Sequence, residues 1–150
     1  MNNQMNNLMK KLMLMACMTL LALLTVTACA DDDLPIQTNE LPRTAQQFLN
    51  QHFRGVEVSY AKQDDGEYEV HLADGTKVEF RHNGEWKEVE NHYGQVPDAI
   101  VPRKILEYVR RKYPHQSIRK IERDSHGYEV KLSNGLELKF DGKGHFRKID

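Results

Sequence analysis

The feature that most constrains this 150-residue chain is a repeat of its own sequence at a spacing of 60 residues. Residues 41–90 align with residues 101–150 without a gap, and ten of the aligned pairs are identical. The centre of the match is the motif Tyr-Glu-Val-x-Leu-x-Asp/Asn-Gly, which begins at Tyr68 and again at Tyr128. An ungapped match of this length indicates a tandem duplication of one folding unit.

Within each unit the apolar residues change from a helical to an alternating period. Ala45, Phe48, Leu49 and Phe53 recur at helical spacing and predict a short amphipathic helix. Alternating segments follow and predict four strands separated by turn residues. The Asp74-Gly75 pair predicts a two-residue hairpin loop of type I′, which needs positive φ at both central residues.

The first of these strands begins with Val56, Val58 and Tyr60, which alternate with polar residues, so Tyr60 is predicted to face the core. One helix over a four-stranded meander of about 50 residues is marginally stable alone. We therefore predict an α+β fold in which a tandem repeat of this unit forms one extended antiparallel sheet of eight strands, with both helices on one face.

The first 28 residues predict a secretory signal peptide, because Lys10 and Lys11 precede an apolar run. The run is short for a retained membrane helix, which needs about 20 residues, so that alternative is less favoured. Val26-Thr27-Ala28-Cys29 resembles a bacterial lipobox, in which the Cys29 thiol is lipidated. Ordinary signal-peptidase cleavage around Cys29 also fits the small residues, and both routes stay open.

Three Asp residues follow at 31–33 and resemble a signal that sends some Gram-negative lipoproteins to the outer face of the outer membrane. The predicted location is therefore the periplasm or the outer membrane, with a lipid anchor in the favoured case. The remaining predicted segments are an acidic tether at 29–40, the first unit at 41–90, a linker at 91–100 and the second unit at 101–150.

Beyond Cys29 the predicted mature chain has no cysteine. This excludes a disulfide within the domain, a thiol nucleophile and a cysteine metal site. The seven His residues are scattered without the spacing of a metal site, and we predict neither a metal nor a cofactor. Glu69 and Glu129 recur in both units, but basic residues beside them favour ion pairing over acid–base catalysis. The sequence therefore favours a protein that is not an enzyme.

Charge is divided unequally between the units. Residues 41–90 carry six Lys and Arg against ten Asp and Glu, a net charge of −4, whereas residues 101–150 carry thirteen against seven, a net charge of +6. We predict a basic face for an acidic partner, a lipid headgroup or a glycan, with head-to-tail self-association as another option; a solvated helix and strand would show the same charges. The candidate residues are Arg103, Lys104, Arg110, Arg111, Lys112, Arg119, Lys120 and Arg123.

Among the aromatic residues, Trp86 and Tyr60 are the candidates for contact with a partner. Tyr68 and Tyr128 fall in phase with the buried residues of their strands and are predicted to lie in the core. A groove lined by Trp86, Tyr60 and Tyr93 would instead favour a protein that binds carbohydrate or another small ligand.

In both units the motif is followed by an apolar residue, any residue and Phe, and then by a Gly four residues after the Phe. With these residues the chain resembles the PepSY-like family of secreted bacterial proteins, which are often described as similar to β-lactamase inhibitor protein. The resemblance covers both units and implies two α-β units in a curved sheet that bind or inhibit another protein. That inhibitor uses an aromatic-rich sheet face, whereas the positions predicted to face outward here are charged and lack Trp and Tyr. No catalytic residue transfers from the family.

Together these features predict a non-enzymatic extracytoplasmic binding module. Its predicted partner is an unidentified envelope or extracellular protein, bound through the outer sheet face or the basic second unit. Nucleic acid is not an expected partner because the chain is predicted to be exported. An envelope lipoprotein that binds carbohydrate or a small ligand is the alternative.

Overall fold

Two helices and nine strands make up residues 34–150, the part of the chain that the computed structural model describes. Helix α1 spans Arg43–His52 and helix α2 spans Arg103–Lys112. A 3-10 turn at Thr38–Glu40 precedes α1. The strands are β1 Leu34–Pro35, β2 Val58–Asp64, β3 Glu67–Leu72, β4 Thr76–Phe80, β5 Trp86–Asn91, β6 Ile118–Arg123, β7 Gly127–Leu132, β8 Glu137–Asp141 and β9 Phe146–Ile149.

All nine strands form one open sheet in sequential order, and the pairs are antiparallel throughout residues 34–150. The predicted α+β class and antiparallel sheet are confirmed. The sheet has one strand more than the eight predicted, because Leu34–Pro35 pairs with the free edge of β2. This short strand lies in the segment predicted as a tether.

One face of the sheet forms the core. A row of directly paired residues crosses six strands of this face, and each member is fully buried because it points toward the helices. On the same face the ring of Phe48 in α1 meets that of Phe80 at 5.7 Å, and the ring of Tyr108 in α2 meets that of Phe140 at 5.5 Å. Both helices therefore pack on one face. The buried row is Val70, Val78, Val89, Ile121, Val130 and Leu138.

Each helix contributes two buried residues to the core. Ala45 and Leu49 are the buried residues of α1, and Ile105 and Val109 are those of α2. Each pair is spaced four residues apart and so lies on one side of its helix. Burial of a Leu, Ile or Val side chain contributes about 1.5–3 kcal/mol, and Phe48 and Tyr108 add partly buried contacts with the same core.

The β3–β4 turn differs from the predicted type I′ loop. Gly75 has φ of 82°, but Asp74 does not have positive φ, and the Gly75 N–H donates to the Leu72 carbonyl at 3.1 Å. This arrangement is typical of a three-residue loop that ends in a left-handed glycine. Positive φ at two successive residues occurs instead at Asp65 and Gly66, between β2 and β3.

A bulge in β2 reverses the predicted orientation of Tyr60. The register shifts between Val58 and Tyr60, so Ala61 points into the core and Tyr60 is 44 % exposed on the opposite face. A bulge adds one residue to the strand and thereby changes which face the following residues occupy. The corresponding bulge in β6 allows Ile118 and Ile121 to be buried together.

The segment at residues 91–100, predicted as a linker, contributes to the core. Val96 and Ile100 are buried, and the Val96 N–H donates to the Ile118 carbonyl at 2.8 Å. Within residues 34–150, neither helix has the length and hydrophobicity that a membrane span needs. The predicted signal peptide and Cys29 lie outside the described residues.

Candidate functional site

Helix α2 presents a strongly cationic surface to solvent. Its buried side packs on the sheet, which leaves a continuous exposed side along the whole helix. We call the cationic residues of this side the α2 basic face. They are Arg103, Lys104, Arg110, Arg111 and Lys112.

Part of this charge is balanced by neighbours. The guanidinium of Arg103 donates to Glu107 at 2.7 Å, and that of Arg110 donates to Asp98 at 2.5 Å. Such exposed pairs contribute about 0–1 kcal/mol each, because solvent screens them. Within residues 34–150, no carboxylate forms a salt bridge with Arg111 or Lys112, although the Arg111 guanidinium lies 6.0 Å from the centre of the Tyr108 ring.

The corresponding surface of α1 is nearly neutral. The buried, half-buried and exposed positions match at every residue between 41–51 and 101–111. Nevertheless, Thr44 takes the place of Lys104, and Asn50-Gln51 takes the place of Arg110-Arg111. Because burial is the same, packing against the sheet does not require the additional cations of α2.

The helix dipole accounts for only part of the α2 basic face. Cations in the last helical turn are favourable by about 0.3–1 kcal/mol each, which can explain Arg110, Arg111 and Lys112. Arg103 and Lys104 lie in the first turn, where the same dipole disfavours positive charge. Arg103 has a counterpart in Arg43 of α1 and pairs with Glu107, whereas Lys104 takes the place of the neutral Thr44.

The structure separates Lys120 from the α2 basic face. Lys120 points away from the helices, and its ammonium group lies 2.6 Å from Glu88 and 3.4 Å from Glu122. Arg119 donates to the carbonyl of His92 at 2.9 Å. The basic residues grouped from the sequence therefore do not form a single face, because Lys120 lies on the side of the sheet opposite the helices.

That opposite side, the outer face, is dominated by a row of glutamates. Five glutamates from five adjacent strands lie directly opposite one another, an arrangement that is unfavourable unless cations separate them. Lysines on the same face provide this separation: Lys77 contacts Glu79 at 2.7 Å, and Lys139 contacts Glu129 at 3.4 Å. The row is Glu69, Glu79, Glu88, Glu122 and Glu129.

Glu88 at the centre of this row is buried, with 6 % of its surface exposed. Its carboxylate accepts from Lys77 at 3.0 Å and from Lys120 at 2.6 Å, so it joins strands from both halves of the sheet. Burial acts to raise the pKa of Glu88, but the hydrogen bonds from Lys120 and Lys77 outweigh it and hold that pKa below its usual value. Sequence reasoning missed this cluster because it depends on the β5–β6 pairing.

The candidate aromatic residues do not come together. Trp86 stacks on Phe48 of α1 with 6.1 Å between ring centres, and the Arg123 guanidinium lies 4.5 Å from its ring. Tyr60 lies on the outer face beside His71. A groove lined by Trp86, Tyr60 and Tyr93 is therefore not formed, because the sheet separates Trp86 from Tyr60.

Two shallow clefts occupy corresponding places beside the β2–β3 and β6–β7 turns. The first has a volume of about 490 Å³ and includes Glu69 and Glu79, and the second has a volume of about 390 Å³ and includes Glu129 and Lys139. The exchange of Glu79 for Lys139 makes the second cleft less acidic. Within residues 34–150, no group of three or more His, Cys, Asp and Glu residues has the arrangement of a metal site.

Comparison with known proteins identifies the family. Residues 66–148 match the family model described as "Putative beta-lactamase-inhibitor-like, PepSY-like". This match covers more than half of the chain and confirms the resemblance expected from the repeated motif. The chain belongs to the PepSY-like family. A search of curated proteins found no match.

Solved structures from Bacteroides share both fold and sequence. A "putative calcium-regulated periplasmic protein" from Bacteroides thetaiotaomicron is 49 % identical with a TM-score of 0.77, covering 81 % of this chain and 98 % of that one. A "putative periplasmic protein" of the DUF2874 family from Bacteroides vulgatus is 48 % identical with a TM-score of 0.76 and the same coverage. Another from Bacteroides vulgatus, of unknown function, is 37 % identical with a TM-score of 0.74, covering 79 % and 98 %. These descriptions support an exported location.

Proposed function

We propose that this chain is a non-enzymatic binding module of the cell envelope that binds an acidic protein surface through the α2 basic face. The observation that carries the proposal is the difference between two helices with the same burial. Packing on the sheet is achieved equally well by the nearly neutral α1, so the extra cations of α2 are available for a partner. Clustered charge of one sign speeds encounter with a partner of opposite charge.

The proposal also includes a tandem duplication and a lipid anchor. The order of one helix and four strands occurs twice, and the bulges in β2 and β6 lie at equivalent positions. A duplicated fold whose surfaces later diverged would account for both the matching burial and the unequal charge. Lipidation of Cys29 would hold the domain at a membrane surface through the intervening tether.

Catalysis is not part of the proposal. The carboxylates that recur in both halves, Glu69 and Glu129, take part in ion pairs with Lys62 and Lys139. These contacts support a structural role for both. Nor do we extend the proposal to β-lactamase inhibition, because the outer face combines a single exposed tyrosine, Tyr60, with paired charges along residues 58–150.

The experiment exchanges the three cations of the last turn of α2 for the residues that α1 carries at the same positions. The helix-swap variant combines Arg110→Asn, Arg111→Gln and Lys112→His. Wild-type and variant chains are used as bait in envelope extract, and captured proteins are quantified by mass spectrometry. We expect an acidic protein that wild type captures to be reduced at least about tenfold by the variant, equivalent to 1.4 kcal/mol of binding free energy.

A matched control removes the same charge from another surface of the same half. It combines Lys143→Gln, Arg147→Gln and Lys148→Gln, which lie in or near β9. Capture that persists in this control but not in the helix-swap variant supports the proposed site. Equal capture by all three chains would reject the α2 basic face, and capture of anionic vesicles instead of a protein would assign the face to a membrane surface.

A further inference from the structure

The chain closes the edge of strand β2 with a very short strand of its own. Among the described residues 34–150, β1 comprises Leu34 and Pro35, and the N–H of Ile36 then donates to the Ala61 carbonyl at 3.0 Å. Leu34 remains 63 % exposed. Very short edge strands and proline are features that prevent an edge from pairing with other chains.

The pairing of β5 with β6, which we call the seam, shows how a longer strand pairs with the edge of β6 that corresponds to the β1-paired edge of β2. There Val89 pairs with Ile121, and both side chains are fully buried. Under the 60-residue shift, Ile121 corresponds to Ala61 of β2. Because the β1–β2 register continues to Ile36 opposite Ala61, Ile36 occupies at the β2 edge the place that Val89 has at the β6 edge.

Strand β9 forms the other edge of the sheet, and its Ile149 corresponds to Val89 under the 60-residue shift. Ile149 pairs with Leu138 of β8 and is 49 % exposed. No strand within residues 34–150 pairs with the outer edge of β9. An exposed aliphatic side chain on an open edge strand is a typical starting point for strand addition.

We infer that the β2 edge is an acceptor site for β9 of a second copy of this chain, in competition with the chain's own residues 34–36. The β5–β6 register, transferred to this contact, places Ile149 opposite Ala61 and Asp150 opposite Tyr60. The contact is head-to-tail and leaves each copy with one further open edge, so it can extend beyond two copies. It goes beyond the proposed function, since it concerns self-assembly through different elements.

The charges favour this pairing over symmetric ones. β9 belongs to the half with net charge +6, and β2 belongs to the half with net charge −4. A symmetric pairing of two β9 strands would instead bring Arg147 and Lys148 of one copy close to the same cations of the other copy. In the head-to-tail contact Lys148 lies opposite Lys62, but Asp150 contacts Lys148, and Glu69 lies 3.9 Å from Lys62. The internal seam has the reverse arrangement, in which lysine bridges two opposed glutamates.

The test weakens the chain's own cap. Ile36 packs against the core, so Ile36→Asp is expected to release residues 34–36. Analytical ultracentrifugation of the exported chain should then show self-association with a dissociation constant about ten- to hundredfold lower than wild type, because the acceptor edge is no longer occupied. Adding Ile149→Lys should abolish this gain. Self-association that survives Ile149→Lys, or no self-association of a folded Ile36→Asp chain, would overturn the inference.

Cysteine cross-linking checks the register. In a Cys29→Ser background, chains with Tyr60→Cys are mixed with chains with Asp150→Cys under oxidising conditions. Mixed disulfides should form, whereas each variant alone should not cross-link, which distinguishes head-to-tail from symmetric pairing. If circular dichroism shows that Ile36→Asp does not fold, the two cysteine variants are mixed without Ile36→Asp at millimolar concentration. Mixed disulfides that Ile149→Lys suppresses would support the inference. Absence of mixed disulfides would contradict it.

Discussion

Helices α1 and α2 have the same pattern of burial but a different surface charge. The match extends over residues 41–51 and 101–111, yet the exposed side of α1 is mostly neutral and polar while that of α2 is cationic. The buried positions determine where each helix lies on the sheet, and the exposed positions are unconstrained by that packing. The comparison therefore separates what the fold requires from what is available for function.

The largest expected effect concerns the two equivalent core aromatics. Phe80 and Phe140 are both buried and each meets an aromatic ring of its helix edge-on. We expect Phe80→Ala and Phe140→Ala each to lower the free energy of unfolding by about 3–5 kcal/mol. Urea denaturation measures both losses. A loss below about 1 kcal/mol in one half alone would show that the two halves are not packed alike.

The next largest effect on stability is expected at Glu88, the buried carboxylate between β5 and β6. Glu88→Ala should lower the free energy of unfolding by about 2–4 kcal/mol, because Lys77 and Lys120 would remain close together without their shared carboxylate. The matched control is Lys148→Ala at the equivalent position of β9, which is exposed and should change stability by less than about 0.5 kcal/mol. Similar losses from both substitutions would contradict the role assigned to Glu88.

The same carboxylate predicts a dependence on pH. The pKa of Glu88 is lower in the folded than in the unfolded chain, so its stabilising contribution is present above the ordinary glutamate pKa of about 4.3 and is lost as pH falls through the folded value. As the pH is lowered from 5 to about 1 unit below the ordinary glutamate pKa, Glu88→Gln should therefore lose less thermal stability than wild type. Parallel curves for both chains would contradict the assignment.

The smallest expected effect distinguishes binding from helix electrostatics. Lys104 lies in the first turn of α2, so Lys104→Thr, the residue of α1, should leave stability unchanged or raise it by about 0.3–0.5 kcal/mol. The same substitution should weaken capture of an acidic partner. A clear loss of stability, measured by urea denaturation, would instead assign Lys104 a structural role through its 3.1 Å contact with His145.

Much of this fold follows from local patterns, and the exceptions have identifiable causes. Periodicity predicted both helices and the strands at residues 58–149, because one face of each element is buried. It misplaced Tyr60, although the three-residue spacing of Ile118 and Ile121 was a sign of the bulge in the equivalent strand. The apolar Leu34 and Ile36 were likewise a sign of the strand in the predicted tether.

The candidate site was less predictable than the fold. The sequence identified the cations of α2 through their number, but it could not separate Lys120 from them, since this depends on which face of β6 is covered. It also could not place Glu88 beside Lys120, because the β5–β6 pairing joins residues about 30 positions apart in sequence. Long-range pairing is the information that local patterns lack.

The most direct test of this account measures two quantities on the helix-swap variant. We expect its free energy of unfolding, from urea denaturation, to lie within about 1 kcal/mol of wild type, since only last-turn and surface charges are removed. We expect its capture of the acidic partner to fall at least about tenfold. A loss of more than about 3 kcal/mol in stability, or unchanged capture with unchanged stability, would contradict the claim that the exposed cations of α2 serve binding and not folding.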